Sequence, residues 1–142
     1  MSLALRCLVL GSMAIALSAC GGSGGTAAPD QAPVPVITSP AVGATFRAGD
    51  TVTFSGSASD AEDGTLAAVS LTWWAELHHD THTHPFQPNT SGGSGSVTIP
   101  VRGETSDNIF YRFHLRAADS AGNTVEATGD LLPQKTQVTL AT

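Results

Sequence analysis

Residues 51–58 read Thr-Val-Thr-Phe-Ser-Gly-Ser-Ala, and residues 109–118 read Ile-Phe-Tyr-Arg-Phe-His-Leu-Arg-Ala-Ala. In the first stretch Val52, Phe54, Gly56 and Ala58 share one side of a two-residue period, and Thr51, Thr53, Ser55 and Ser57 share the other. That is a strand with one face on a core. In the second, Tyr111, Phe113, Leu115 and Ala117 point inward, which leaves Arg112, His114 and Arg116 outward. Working outward, Val36–Thr38 is a short strand stopped by Ser39-Pro40. Val69–His79 is a long one, and Val97–Ile99 is a short one closed by Pro100. Thr124–Leu131 and Gln137–Leu140 complete the set. Clusters of Gly, Asp, Ser and Pro separate the strands, at 48–50, 60–64 and 119–123. No helical period runs long enough to compete. Seven or eight strands in residues 36–142 predict an all-β sandwich.

The N-terminal part is an address. Of the first 19 residues 14 are apolar, Arg6 supplies one positive charge, and residues 7–17 form an apolar run. Spanning a bilayer takes about 20 such residues, so the run reads as the hydrophobic part of a signal peptide covering residues 1–19. It ends in Leu17-Ser18-Ala19-Cys20-Gly21, which resembles the bacterial lipobox. The resemblance implies that Cys20 becomes the N-terminus and carries several acyl chains. At about 0.8 kcal/mol per buried CH₂, more than one chain anchors a protein stably. Gly21 after the cysteine resembles lipoproteins sent on to the outer membrane. The expected location is thus the bacterial cell envelope, with the membrane as a partner through the lipid. Residues 20–35, rich in Gly, Ser and then Pro, form a tether.

Composition excludes much. The chain has 142 residues, too few for a multidomain enzyme. Beyond Arg6 it carries 5 basic and 12 acidic residues, which disfavours nucleic acid. Cys7 leaves with the signal peptide and Cys20 is expected to be lipidated, so the domain has no cysteine for a disulfide or for thiolate chemistry. No Gly-x-Ser-x-Gly elbow and no phosphate-binding glycine loop is present. A non-enzyme is expected.

The stretches PVPVITSPAVGATFRAGDTVTFSGSASDAEDGTL, LTWWAELHHDTHTHPF and YRFHLRAADSAGNT resemble bacterial PKD-type, immunoglobulin-like modules. Modules of this kind accompany secreted glucose/sorbosone dehydrogenases of the quinone-dependent type. The resemblance covers residues 33 to about 142. It implies an immunoglobulin-like sandwich and a secreted enzyme or cell-envelope protein as partner, with no activity of its own.

Four of the five histidines, His78, His79, His82 and His84, fall within seven residues. If Trp73, Ala75 and Leu77 point inward, then Trp74, Glu76 and His78 point outward. In an immunoglobulin-like sandwich the strands 69–79 and 109–118 are neighbours, which brings His114 beside His78. A loop carrying His82 and His84 would then fold over the pair. The expected site is therefore an outer-face transition-metal centre of His78, His82, His84 and His114, with Glu76, His79 and Asp80 as further ligands or orienting partners. Imidazole clusters suit Cu²⁺ or Zn²⁺. The competing reading is that the histidines only hold one another and the loop in place.

Two further sites are weighed. Asp60, Glu62, Asp63 and Asp119, with Asn123 nearby, are hard oxygen donors suited to Ca²⁺. Trp74 and Phe86 form a candidate sugar-stacking pair. Trp73 and Tyr111 are read as core residues.

Overall fold

A computed structural model of the chain describes residues 28–102, 106, 108–137 and 139. The signal peptide, Cys20 and the tether up to residue 27 lie outside the described residues, as do two residues of the expected strand 137–140. Gln137 and Thr139 themselves are not in a strand.

Among the described residues, nine strands follow in order: β1 (Val34–Ser39), β2 (Thr45–Phe46), β3 (Thr51–Asp60), β4 (Gly64–Thr65), β5 (Leu71–His79), β6 (His82–Ser91), β7 (Ser94–Thr98), β8 (Phe110–Ala118) and β9 (Thr124–Pro133). A 3-10 turn, Ala68–Ser70, leads into β5, where the sequence pattern placed the start of the strand. One sheet is built on β3, which pairs with β1, β4 and β7. The other runs β2-β9-β8-β5-β6. The two sheets form the expected immunoglobulin-like sandwich, with β5 and β8 adjacent and antiparallel.

Alternation decides what the core contains. Phe54 and Ala58 from β3 meet Leu71, Trp73 and Ala75 from β5, and Tyr111, Phe113, Leu115 and Ala117 from β8, all buried. Phe54 bridges the sheets, with its ring centroid 5.1 Å from Trp73 and 5.9 Å from Phe113. Each large apolar side chain among them, such as Phe54, Phe113 or Leu115, contributes about 1.5–3 kcal/mol on burial. Trp73 also donates its indole N–H to the Gly92 carbonyl at 3.0 Å, so its one polar atom is satisfied.

The segment read as a loop is a strand. Among the described residues, β6 is the outermost strand of its sheet and pairs with β5 alone. Pro85 and Pro88 argue against a central strand but are tolerated at an edge, where a missing N–H costs no ladder bond. Two register shifts opposite Ala75 absorb extra residues of β6. Phe86 falls within them, and its ring packs on Tyr111 at 4.3 Å. Bulges commonly re-aim a side chain in this way.

Candidate metal centre

β5 and β6 form a hairpin closed by Asp80-Thr81, with His79 directly opposite His82 and Leu77 opposite His84. Directly opposed residues of an antiparallel pair project from the same face. His79 continues the inward series 71, 73, 75, 77, so His82 and His84 join it on the core side, at the end of the sandwich. The turn depends on Asp80, whose φ is 48°. Asp tolerates this left-handed conformation better than most residues. Asp80 is held there by its N–H to the Asn108 side chain at 3.3 Å, and by the Ser106 hydroxyl donating to its carboxylate at 3.3 Å.

His79, His82 and His84 are the one trio of His, Cys, Asp or Glu side chains, among the described residues, whose ligand atoms all lie within 4.8 Å of one another. Ring centroids are 4.0 Å apart for His79–His82 and 5.2 Å for His82–His84. His79 is buried and the other two are exposed. The Nε2 atoms of His79 and His84 are 2.8 Å apart. In the absence of an ion that contact is a hydrogen bond between opposite tautomers. A metal ion would replace the shared proton and take both lone pairs. His79 Nδ1 lies 3.8 Å from the Asp80 carboxylate, the position of a partner that orients a ligating imidazole. His84 also borders a cleft of about 470 Å³ walled by Phe46, Leu77, Phe86 and Tyr111, with Arg102 on its lining.

The expected four-histidine set is therefore divided. His82 and His84 come together with His79, while His78 and His114 lie on the opposite, outer face. His114 is opposite Trp74, not His78, and His78 is opposite Phe110. Strand parity, read for His78 and His114, was right. The inward parity of His79 went unused, and with β6 taken as a loop nothing indicated that His82 would register against it. On the outer face His114 stacks on Trp74 at 4.6 Å and His78 stacks on Phe110 at 4.6 Å. Glu76 lies between them, 3.6 Å from the Nε2 atom of each. His114 is nine-tenths buried, and its Nδ1 is 2.6 Å from Glu126.

The sugar-stacking pair does not form. Phe86 packs on Tyr111 on the core side, whereas Trp74 is on the outer face with His114 against it and the Arg116 guanidinium 5.5 Å above the ring. The two aromatic rings are on opposite sides of one sheet.

The candidate calcium residues do gather at one end of the sandwich, but as a hydrogen-bonded clasp. Asp60 accepts from the N–H groups of Glu62 and Asp63, both at 2.9 Å. Asp63 accepts from Ser120 N–H at 2.7 Å and its hydroxyl at 2.8 Å, and Asp119 accepts from Asn123 N–H at 2.7 Å. Asn123 donates to Asp30 at 2.6 Å. Desolvation, and then the charges of Asp119, Glu62, Asp60 and Asp63, push the Asp30 carboxyl above the usual range. One oxygen each of Asp60 and Asp119 is buried with no hydrogen-bond partner. Asp30 was not singled out from the sequence, because it sits in the tether far from the two turns.

No curated protein and no solved structure matches the chain significantly. Residues 33–101, which hold β1 to β7 and all three histidines of the trio, match the family described as Bacterial Ig domain. The trio therefore lies in the part of this immunoglobulin-like sandwich that is similar to a bacterial Ig domain.

Proposed function

We propose that this chain is a lipid-anchored cell-envelope protein whose immunoglobulin-like domain binds a transition-metal ion at His79, His82 and His84 and carries out no catalysis itself. The single observation behind the metal reading is the spacing of the three imidazoles. Three neutral nitrogens favour Cu²⁺ or Zn²⁺, and a fourth position facing solvent or the adjoining cleft remains for another ligand. The anchor rests on the lipobox-like Leu17–Gly21. The outer membrane is the expected destination, and a secreted enzyme or another envelope protein, such as a dehydrogenase of the kind that carries similar modules, is the expected partner. The test is calorimetric titration of metal-free protein with Cu²⁺ and Zn²⁺. Micromolar or tighter binding, with one equivalent lost in His82→Ala/His84→Ala, supports the reading. If the double variant leaves binding unchanged, or no ion binds, the trio serves only to close the hairpin and the domain is a passive spacer or interaction module.

A second reading, Ca²⁺ at the acidic end, is favoured by the two partnerless oxygens of Asp60 and Asp119. Hard oxygen donors of this kind suit calcium, and a cation would offset the crowding of like charge. Calcium should then raise the melting temperature of the protein and EGTA should reverse it. No shift at millimolar calcium would remove this reading.

A further inference from the structure

We propose that Glu76, His78 and His114 form a second transition-ion site on the outer face of the five-stranded sheet, independent of the trio at the hairpin end. The argument starts from the protons. A carboxylate only accepts, so in the 2.6 Å contact between His114 Nδ1 and Glu126 the ring nitrogen donates. A neutral His114 then has its proton on Nδ1 and a bare lone pair on Nε2. That lone pair is buried, has no hydrogen-bond partner, and lies 3.6 Å from the Oε2 atom of Glu76. The Nε2 atom of His78 is also buried without a hydrogen-bond partner, and it lies 3.6 Å from the same oxygen. Two orphaned imidazole nitrogens thus converge on one carboxylate oxygen. Native proteins leave few such groups, and an ion is one of the standard reasons when they do.

A cation among the three resolves the conflict, because it accepts both lone pairs and the carboxylate charge together. Ligands at about 2.0–2.2 Å from one ion lie roughly 3–3.5 Å apart; the two N···O separations of 3.6 Å approach this, while the two Nε2 atoms are more than 4.8 Å apart and must close on the ion. Of the two rings, His114 is the one preset by its surroundings. His114 is fixed by Trp74 on its face and Glu126 at its far nitrogen, the arrangement that orients metal-ligating histidines in general. His78 stacks on Phe110, which is itself covered by Arg112 at 5.3 Å. Arg112, directly across from Glu76, donates both Nε and Nη2 to Asp130 at 2.7 and 2.8 Å, so its hydrogen bonds go elsewhere. The set is more open than the trio, and binding closes it. His78, 19% exposed against 11% for His114, is the ring that swings inward. Two imidazoles and a carboxylate suit Cu²⁺ or Zn²⁺ rather than Ca²⁺ or Mg²⁺.

Titration of the full-length, detergent-solubilised protein with Cu²⁺, followed by calorimetry and tryptophan fluorescence, tests this. Trp74 stacks on His114, so copper at this site quenches its emission. The parent should bind two equivalents and His82→Ala/His84→Ala one, with quenching retained. Adding Glu76→Gln and His78→Gln to that background should weaken the remaining equivalent at least tenfold and abolish the quenching. Both added substitutions are at partly exposed positions, and the milder His78→Gln alone should already weaken binding if the pair unfolds the domain. The proposal is overturned if His82→Ala/His84→Ala binds no copper, or if Glu76→Gln and His78→Gln leave its affinity unchanged. A parent that binds one equivalent, insensitive to His82→Ala/His84→Ala but lost in Glu76→Gln/His78→Gln, would sink the hairpin site and uphold this one.

Discussion

Gly95→Ala probes how closely the two sheets are fitted around Phe54. Gly95 on β7 is directly opposite Phe54 on β3. A Cβ built on Gly95 would lie 2.3, 2.8 and 3.1 Å from three atoms of the Phe54 ring. The ring has no room to retreat, since it is 2% exposed and packed on Trp73 and Phe113. Overpacking of this sort costs about 1–3 kcal/mol, and the buried, two-sided contact places Gly95→Ala near ~2 kcal/mol. Phe54→Leu alone should cost about 1–2 kcal/mol, less than the ~3–5 kcal/mol of a truncation to Ala, because most of the apolar volume stays. The double variant should then fall short of the sum by at least ~1 kcal/mol, because Leu frees the space that the new methyl needs. Urea unfolding followed by tryptophan fluorescence reads all three values. A cost below ~0.5 kcal/mol for Gly95→Ala, or strict additivity with Phe54→Leu, would refute the packing argument.

Metal linkage gives a second test: Cu²⁺ or Zn²⁺ at a hundred times its Kd should stabilise the fold by about 2.7 kcal/mol per site. EDTA should reverse the gain, and His82→Ala/His84→Ala should reduce it, as read by thermal unfolding. Cys20→Ser should move the protein from the membrane to the soluble fraction and end fatty-acid labelling, with the fold unchanged by circular dichroism. The two hydrogen bonds from Arg112 hold the Asp130 carboxyl below its usual range. That contribution is in force above the unfolded carboxyl's range and is lost as the pH falls through the lowered folded value. Asp130→Asn should therefore cost up to ~1 kcal/mol at neutral pH, a modest figure for a partly exposed pair, and nothing in strong acid. Chemical unfolding of both proteins across pH 2–7 checks the sign.

Much of the fold was legible because a strand's side chains repeat every two residues. Val52, Phe54 and Ala58, and Tyr111, Phe113, Leu115 and Ala117, carry that period openly, so the core residues of β3 and β8 follow from the sequence. β6 was not legible. His82-Thr83-His84-Pro85 alternates nothing apolar, and Pro85 and Pro88 read as breakers, which they are everywhere except at an edge.

The histidines show where each kind of information stops. Composition and proximity marked 78–84 as chemically unusual, and parity sent His78 and His114 to the outer face. Which imidazoles meet was a matter of register, and register is a property of two strands at once. The two-residue turn at Asp80-Thr81 sets His79 against His82, and the β5–β8 ladder sets His114 against Trp74. A slip of one residue in either pairing would change the partners and turn one strand's side chains to the other face. No single segment encodes that choice. It is made where the cores of both sheets, buried around Phe54 and Trp73, allow only one alignment.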